Sequence, residues 1–188
     1  MSLLDASEAK PMDGGPSFSL GNRMARAVWN LTWLLLARWT PPPLHGWRAF
    51  ILRCFGAKVA PGARVYGSTQ IWLPANVTLG EKALIGPGAV IYNQAHITIG
   101  ARSVVSQRAH ICAGTHDISD PDFQLILRPI VIGENCWIAA EAFVGPGVKI
   151  ADGSVLGGRC AAFHDTEKNG VYRGNPAVLI KQRVIKER

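Results

Sequence analysis

Aliphatic residues recur every six positions through most of this chain. Fourteen six-residue units begin with Ile, Leu or Val and carry a residue no larger than Val at their fifth position. A strand has a side-chain period of two, so a period of six predicts short strands separated by turns, with the leading aliphatic side chain pointing into a shared interior. The units open at Val59, Val65, Ile71, Leu79, Ile85, Ile91, Ile99, Val105, Ile111, Ile132, Ile138, Val144, Ile150 and Leu156.

Three such strands make one triangular coil, and successive coils stack about 4.7 to 4.9 Å apart through parallel backbone hydrogen bonds. The fifth residue of each unit is small because it lies near a tightly wound corner. One coil cannot bury its own aliphatic residues, so only the stack forms a continuous core. The pattern therefore predicts an all-β fold, a parallel β-helix solenoid over residues 57–165.

The repeat is interrupted by an insertion. The similar strings Val77–Gly80, Ile97–Gly100 and Ile130–Gly133 mark equivalent positions, but the second spacing is 13 residues longer than the first. The difference predicts a loop over residues 117–129. Counting columns through the coils also places four residues along one edge, with the third at the mouth of the loop: Asn76, His96, His116 and Lys149.

The residues that flank the repeat form separate segments. We expect a flexible N-terminus over residues 1–16, a helical segment over 17–56 and a C-terminal tail over 166–188. Within the helical segment, a nearly apolar run is closed by three prolines, which cannot continue a helix. A second helix, over roughly His45 to Phe55, then leads into the first coil.

The apolar run Ala27–Ala37 is too short to span a bilayer. It carries Trp29 and Trp33, and Trp39 follows it. Such a segment lies on a membrane interface, packs across the end of the solenoid or contacts a partner subunit. The sequence leaves these alternatives open.

Charge and cysteine content narrow the partners and the compartment. A net charge of +7 and a pI near 9.6 favour an anionic partner, which is a nucleic acid, a membrane surface or a phosphorylated small molecule. Many basic residues lie before the repeat or after Pro176 and no nucleic-acid motif is present, so we expect no nucleic-acid partner. The four cysteines form no disulfide framework, and the first 17 residues lack the features of a secretory signal. A cytoplasmic location follows as the default.

Histidine at the rim of an inserted loop is a candidate general base, because imidazole accepts a proton near neutral pH. His116 has this position, and His96 is a second candidate; the alternative for each is an ordinary surface or corner residue. A zinc hydrolase or lyase on the same scaffold is a competing class, but His110 falls on a different face from the other two, and we expect no metal. A non-catalytic scaffold protein is a third reading.

Several strings resemble the hexapeptide-repeat O-acetyltransferases, most of all the sugar acetyltransferases of the colanic acid type. They are Gly114–Pro121, Cys136–Ala140, Gly174–Ala177 and the Trp-rich opening Ser17–Phe55, so the resemblance covers nearly the whole chain. It implies a left-handed β-helix and a homotrimer with active sites between subunits. It also implies that His116 deprotonates a hydroxyl of a saccharide acceptor, which attacks acetyl-CoA directly, without a covalent enzyme intermediate.

The resemblance also suggests binding residues. Trp137 matches an aromatic residue beside the acceptor and the thioester, while Ala140 and Gly158 match positions whose backbone contacts coenzyme A. Lys181 matches a basic position near the coenzyme phosphates, with Arg183 two residues further on. Each assignment has an alternative. Trp137 covers the solenoid edge, and Ala140 and Gly158 reflect the preference of the repeat for small residues. Lys181 and Arg183 belong to a solvated run of charged residues.

Acceptor recognition departs from the galactoside enzymes, which carry an amide at the position of Gly86 and acids at the positions of Asn93 and Gln94. By the column count, Asn93 points outward near the proposed base. We expect it to bind a sugar hydroxyl, or else to hold a corner. Asp117 is a further candidate for the substrate site. Either Asp117 or Asp120 could orient His116. The alternative is that these aspartates belong to an ordinary turn.

Overall fold

The computed structural model describes residues 16–184 and contains the predicted β-helix. Three parallel sheets, here called A, B and C, form the faces of a left-handed solenoid of about six turns. The all-β, left-handed parallel β-helix expected from the repeat and the resemblance is therefore confirmed.

The strands of each sheet are two to four residues long. Sheet A contains β1 (Lys58–Val59), β4 (Val77–Leu79), β7 (Ile97–Ile99), β12 (Ile130–Ile132) and β15 (Lys149–Ile150). Sheet B contains β2 (Arg64–Val65), β5 (Leu84–Ile85), β8 (Val104–Val105), β13 (Trp137–Ile138), β16 (Val155–Leu156) and β18 (Gly170–Arg173). Sheet C contains β3 (Gln70–Ile71), β6 (Val90–Tyr92), β9 (His110–Cys112), β14 (Phe143–Val144) and β17 (Ala161–Ala162).

The leading aliphatic residues of all fourteen units are buried in one continuous core. Most fifth residues are buried beneath the corners as well, but Ala75 and Thr115 are exposed and Ala95 is only partly buried. All three lie between sheets C and A, where the chain carries extra residues. At that corner the buried positions belong instead to Leu73, Asn93 and Ala113.

The shift at this corner changes the predicted column of polar residues. Val77 pairs with Ile97, which pairs with Ile130, so His96 follows Asn76 in the stack and Pro129 follows His96. Lys149 pairs with Val131 on sheet A and is outside this column. The predicted stacking of His116 and Lys149 above His96 is therefore wrong, because the insertion carries His116 away from the coil.

The insertion is a β-hairpin. Its strands are β10 (Gly114–His116) and β11 (Leu125–Leu127), paired antiparallel, with His116 opposite Leu125. The chain leaves the coil before Asp117, where the loop was predicted to start, and returns where the backbone N–H of Arg128 donates to the carbonyl of Ala113 at 2.9 Å. The hairpin therefore projects from the corner between sheets C and A.

Two helices precede the solenoid, α1 (Leu20–Leu36) and α2 (His45–Cys54), together with a short 3₁₀ helix (Pro74–Asn76) within it. The indole N–H groups of Trp29 and Trp33 donate to the carbonyls of Ile71 and Gly67 at 2.7 and 3.0 Å. A side chain on Gly67 would lie only 2.6 Å from the carbonyl oxygen of Arg38, so glycine permits this close approach. Helix α1 is thus fixed onto the first coils.

The C-terminal segment adds to sheet B. Strand β18 pairs in parallel with β16, so the sheet continues beyond residue 165, into the segment expected to be a tail. Strand β19 (Val178–Gln182) then folds back antiparallel to β18. Among the described residues, neither α1 nor α2 is long and apolar enough to cross a membrane.

Candidate active site

The hairpin holds the imidazole of His116 in one orientation. Its Nδ1 lies 2.6 Å from the carbonyl oxygen of Phe123, on the far side of the hairpin loop. Because a carbonyl oxygen can only accept, Nδ1 must carry the proton of this hydrogen bond. In the neutral ring, Nε2 then has a free lone pair, which is the state that a general base requires.

Phe123 has an unusual backbone conformation, with a φ of 49°. This left-handed region is disfavoured for a bulky side chain. The conformation is accompanied by a hydrogen bond from the backbone N–H of Phe123 to the carbonyl of Asp120, at 2.9 Å. The hairpin thus presents the Phe123 carbonyl to His116. A backbone partner has no signature in the sequence, so this contact could not be predicted from the residues alone.

A cleft of about 290 Å³ lies beside His116. Helix α1, the coil at sheet C and the hairpin all contribute to its walls. The lining residues are Arg23, Arg26, Tyr92, Gln94, His116 and Leu125, with the segment Pro16–Phe18. The structure therefore brings the predicted base together with two arginines of the N-terminal segment, which the sequence analysis did not assign to a site.

The two arginines have different surroundings. The Arg26 guanidinium lies 4.5 Å from the centre of the Trp72 ring and 5.6 Å from that of Phe18, and its Nε donates to Asn22 Oδ1 at 2.9 Å. Arg23 is exposed and forms no salt bridge within residues 16–184. Arg26 is thus held in place, whereas the Arg23 charge is available to a bound anion.

Gln94 contributes a buried amide to the cleft. Its Nε2 donates to the Tyr92 hydroxyl at 3.2 Å, while its Oε1 has no hydrogen-bond partner in the described part of the chain. A side chain on Gly114 would collide with this Oε1, so glycine leaves room for it. A buried acceptor without a partner is costly unless a ligand or water completes it.

Asn93, the first sequence-based choice for the acceptor, points into the solenoid. It is completely buried, and its Oδ1 accepts from the backbone N–H groups of Trp72 and Leu73 at 3.0 and 3.1 Å. Its Nδ2 donates to the Leu73 carbonyl at 2.5 Å. Asn93 therefore holds the corner, which was the alternative to binding a sugar hydroxyl. The extra residues before Ile99 turn its side chain inward.

The aspartates of the hairpin stabilise its turns. Asp117 Oδ1 accepts from the Ser119 backbone N–H at 2.9 Å, and Asp120 Oδ1 accepts from that of Asp122 at 2.7 Å. These are the local side-chain turns expected of aspartate. The orientation of the His116 ring comes from the Phe123 carbonyl instead.

Trp137 lies on the outer side of sheet B and does not line the cleft at His116. Its indole is half exposed and donates to Ser106 Oγ at 2.9 Å. Within one chain the hairpin projects between sheets C and A, away from β13. The structure therefore does not bring Trp137 and His116 together in a single subunit.

Ala140 and Gly158 lie next to each other on successive coils. The backbone N–H of Arg159 donates to the Ala140 carbonyl at 2.9 Å, and a side chain on Gly158 would meet that carbonyl oxygen at 3.6 Å. Two further cations accompany them, because Arg159 and Arg108 both contact Glu141, at 2.6 and 3.6 Å. The hydrogen bond from Arg159 holds the pKa of Glu141 below its usual value.

The two basic candidates near the C-terminus differ in availability. Lys181 is exposed on β19, opposite Val171. Arg183 Nη1 donates to the carbonyls of Asn135 and Gly153 at 2.8 and 3.1 Å, so its guanidinium caps the corner between sheets A and B. Of the two, Lys181 is the one free to meet a phosphate.

The remaining histidines are dispersed. His96 Nε2 lies 2.9 Å from Thr78 Oγ1, and its pKa is lowered, first by burial and then by the charge of Lys58. His110 lies between the rings of Tyr92 and Phe143, and burial lowers its pKa. Residues 16–184 contain no group of three histidine, cysteine or acidic side chains placed to hold a metal ion.

Comparison with known proteins agrees with this architecture. Residues 129–161 match the family model described as bacterial transferase hexapeptide (six repeats). WcaF of Escherichia coli K12, provisionally assigned as a colanic acid biosynthesis acetyltransferase, is 43% identical over 170 residues, which cover 90% of this chain and 93% of that protein. The corresponding protein of Shigella flexneri gives the same values.

Solved structures share the fold at low sequence identity. A maltose O-acetyltransferase from Clostridium difficile 630 superposes with a TM-score of 0.79 at 22% identity, covering 89% of this chain and 90% of the other. A galactoside acetyltransferase in complex with coenzyme A gives 0.80 at 22% identity, covering 89% and 85%. The identity and coverage with WcaF show that this chain belongs to the hexapeptide-repeat acetyltransferases, in the family of the colanic acid biosynthesis type.

Proposed function

We propose that the protein transfers an acetyl group from acetyl-CoA to a sugar hydroxyl during the synthesis of an exopolysaccharide or glycan precursor. The observation that carries this proposal is the state of His116. Its Nδ1–H is held by the Phe123 carbonyl, so that in the neutral ring the Nε2 lone pair is free at a cleft that polar side chains help to line. A sugar hydroxyl is a poor nucleophile until such a base lies within hydrogen-bond reach.

The reaction is a direct transfer. His116 Nε2 takes the proton of the acceptor hydroxyl while the oxygen forms a bond to the thioester carbonyl carbon. The tetrahedral intermediate then breaks its carbon–sulfur bond, and the imidazolium returns the proton to the leaving thiolate of coenzyme A. No covalent enzyme intermediate is needed, since binding both substrates together makes the attack effectively unimolecular.

For acetyl-CoA we propose the strip at Ala140 and Gly158, with Trp137 beside it and Lys181 towards the phosphates. Gly158 is exposed and lies at a corner without a side chain, which allows a pantetheine arm to approach the backbone. Arg108 and Arg159 at the same corner supply additional positive charge. The structural relative in complex with coenzyme A supports a coenzyme A substrate for this fold.

A homotrimer completes the site in this proposal. His116 and the coenzyme strip lie on different sides of one chain, so the hairpin of one subunit must meet sheet B of a neighbour for the reaction to proceed. A cleft between subunits also offers more concavity than a flat solenoid face. Each trimer then has three active sites.

We propose an acceptor that carries an anionic group, such as a phosphate or a uronate carboxylate. Arg23 presents an unpaired guanidinium to the cleft, and the Gln94 Oε1 offers a buried acceptor for a sugar hydroxyl. The free cysteines among the described residues support a reducing, cytoplasmic location. Contact with the membrane surface through the N-terminal helices is compatible with that location.

The proposal is tested by thiol release from acetyl-CoA across a panel of sugars, nucleotide sugars and oligosaccharides, with mass spectrometry of the products. We expect acceptor-dependent acetylation that falls by orders of magnitude in His116→Ala with the fold retained. His164→Ala, at an exposed histidine far from the hairpin in sequence, is the matched control. Near-normal turnover of His116→Ala would refute the role of this residue, and failure to bind any acyl-CoA would favour a scaffold protein.

A further inference from the structure

One side of helix α1 is apolar and uncovered. Six large apolar residues along it are all at least half exposed: Leu20, Met24, Val28, Leu31, Leu34 and Leu35. Their spacing of three and four residues places them on one side of the helix. The opposite side carries Trp29 and Trp33, which are buried against the solenoid. We call these six residues, together with Trp39, Leu44, Trp47 and Phe50, the apolar helical face.

The face continues past the end of α1 onto α2. Trp39 is 73% exposed, and Leu44, Trp47 and Phe50 are exposed as well. The indole N–H groups of Trp39 and Trp47 donate to the carbonyls of Leu35 and Leu36, each at 2.7 Å. Because these N–H groups already have partners, the two indoles can enter an apolar medium without losing a hydrogen bond to water.

The charge around this face has one sign. Residues 14–80 include seven arginine and lysine residues and no aspartate or glutamate. Two of the arginines, Arg23 and Arg38, are exposed on α1 or directly after it, and neither forms a salt bridge within the described residues. The apolar face is therefore flanked by positive charge that no acidic side chain of the same segment neutralises.

We infer that the apolar helical face docks on an anionic phospholipid bilayer, with α1 lying in the interface. Exposed leucines, interfacial tryptophans and flanking arginines are the features that such binding requires. A second copy of this chain bound face to face is a poorer occupant, because such a two-fold contact would bring the same arginines together. A helix of 17 residues that is also fixed to the solenoid lies on the membrane rather than across it.

Docking also sets the orientation of the candidate active site. Arg23 is next to Met24 of the apolar helical face and lines the cleft at His116. The cleft therefore lies close to the lipid headgroups when the face is bound. This inference stands on the helices alone and does not depend on the proposed acetyl transfer.

The experiment measures sedimentation of the full chain with vesicles of phosphatidylcholine, with and without phosphatidylglycerol. We expect binding to the anionic vesicles that weakens as salt is raised, since salt screens the arginines. Leu31→Glu/Leu35→Glu should lower the apparent affinity by about tenfold or more. Val178→Glu/Val184→Glu adds the same charge at exposed valines outside the face and should bind nearly as well as the wild type.

Three results would overturn the inference. The first is equal affinity of the two double variants, and the second is no binding of the wild type to anionic vesicles. The third is a change in oligomeric state, measured by light scattering, in Leu31→Glu/Leu35→Glu alone, which would identify the face as a subunit contact. None of these measurements uses catalysis, so they remain informative if the protein acetylates nothing.

Discussion

His116 and Phe123 lie on opposite sides of the hairpin turn, and a hydrogen bond of 2.6 Å joins the imidazole Nδ1 of the first to the carbonyl oxygen of the second. This contact decides which ring nitrogen can act as a base. It depends on Phe123 retaining a positive φ, a conformation whose cost for a residue with a large side chain is of order 1–3 kcal/mol. The orientation of the candidate catalytic group thus rests on local backbone geometry.

Substitution at Phe123 tests that dependence. In Phe123→Val, a β-branched residue resists the positive φ, so the carbonyl should move and kcat should fall about tenfold with little change in the KM for acetyl-CoA. Phe123→Gly also removes the ring but accepts the conformation, and it should keep most of the turnover. Steady-state kinetics of the two variants make the comparison. Equal losses in both would show that the ring, rather than the carbonyl, matters.

The role of Arg23 predicts selectivity for charged acceptors. Arg23→Gln should raise the KM for an anionic saccharide by roughly tenfold and leave that for a neutral analogue nearly unchanged, because only the former loses a charge-assisted contact. Arg38→Gln removes an equal charge from an arginine that does not line the cleft, and serves as the control. A parallel loss with both acceptors would contradict a direct contact.

Gly158 offers a test of the coenzyme strip. A side chain there meets only ordinary contact with the Ala140 carbonyl oxygen at 3.6 Å, so Gly158→Leu should fold normally. It should nevertheless fill the approach to the backbone and weaken coenzyme A binding by about tenfold or more. Calorimetric titration with coenzyme A, beside thermal unfolding, measures both effects. Gly46→Leu, at a helical glycine with open space around it, should leave binding intact.

Because His110 is partly buried, the stability of the fold should depend on pH. Burial lowers its pKa below the ordinary 6.5, so as pH falls through 6.5 the unfolded chain takes up a proton that the folded chain resists. The free energy of unfolding therefore decreases towards acid. His110→Phe keeps a ring between Tyr92 and Phe143 and removes this group.

Urea unfolding above pH 7 and near pH 5 measures the change. The wild type should lose more stability over this interval than His110→Phe does. The exposed His164→Asn, whose ring is not part of that aromatic stack, should behave like the wild type. Identical slopes for all three proteins would show that other groups control the acid response.

The sequence predicted the solenoid because its signal is redundant. Fourteen aliphatic residues at equivalent positions all proved to be buried, and one misplaced unit would not have changed the conclusion. Single positions lack that redundancy. Asn93 was placed outward by counting through a corner with extra residues, and the shift turned it into the core. A period of six locates sheets reliably, but the register at an irregular corner depends on how the chain turns there.

For the candidate site, too, some features follow from the sequence and others only from the tertiary structure. The sequence by itself determined that His116 stands at the mouth of an insertion, that Ala140 and Gly158 are small residues of the repeat, and that the N-terminal segment is helical and rich in tryptophan. Only the tertiary structure decided that Phe123 orients the imidazole, that Arg23 and Gln94 share its cleft and that one side of α1 stays uncovered. These features arise from contacts between residues distant in sequence or from backbone groups that every residue carries, and neither leaves a periodic trace in the chain.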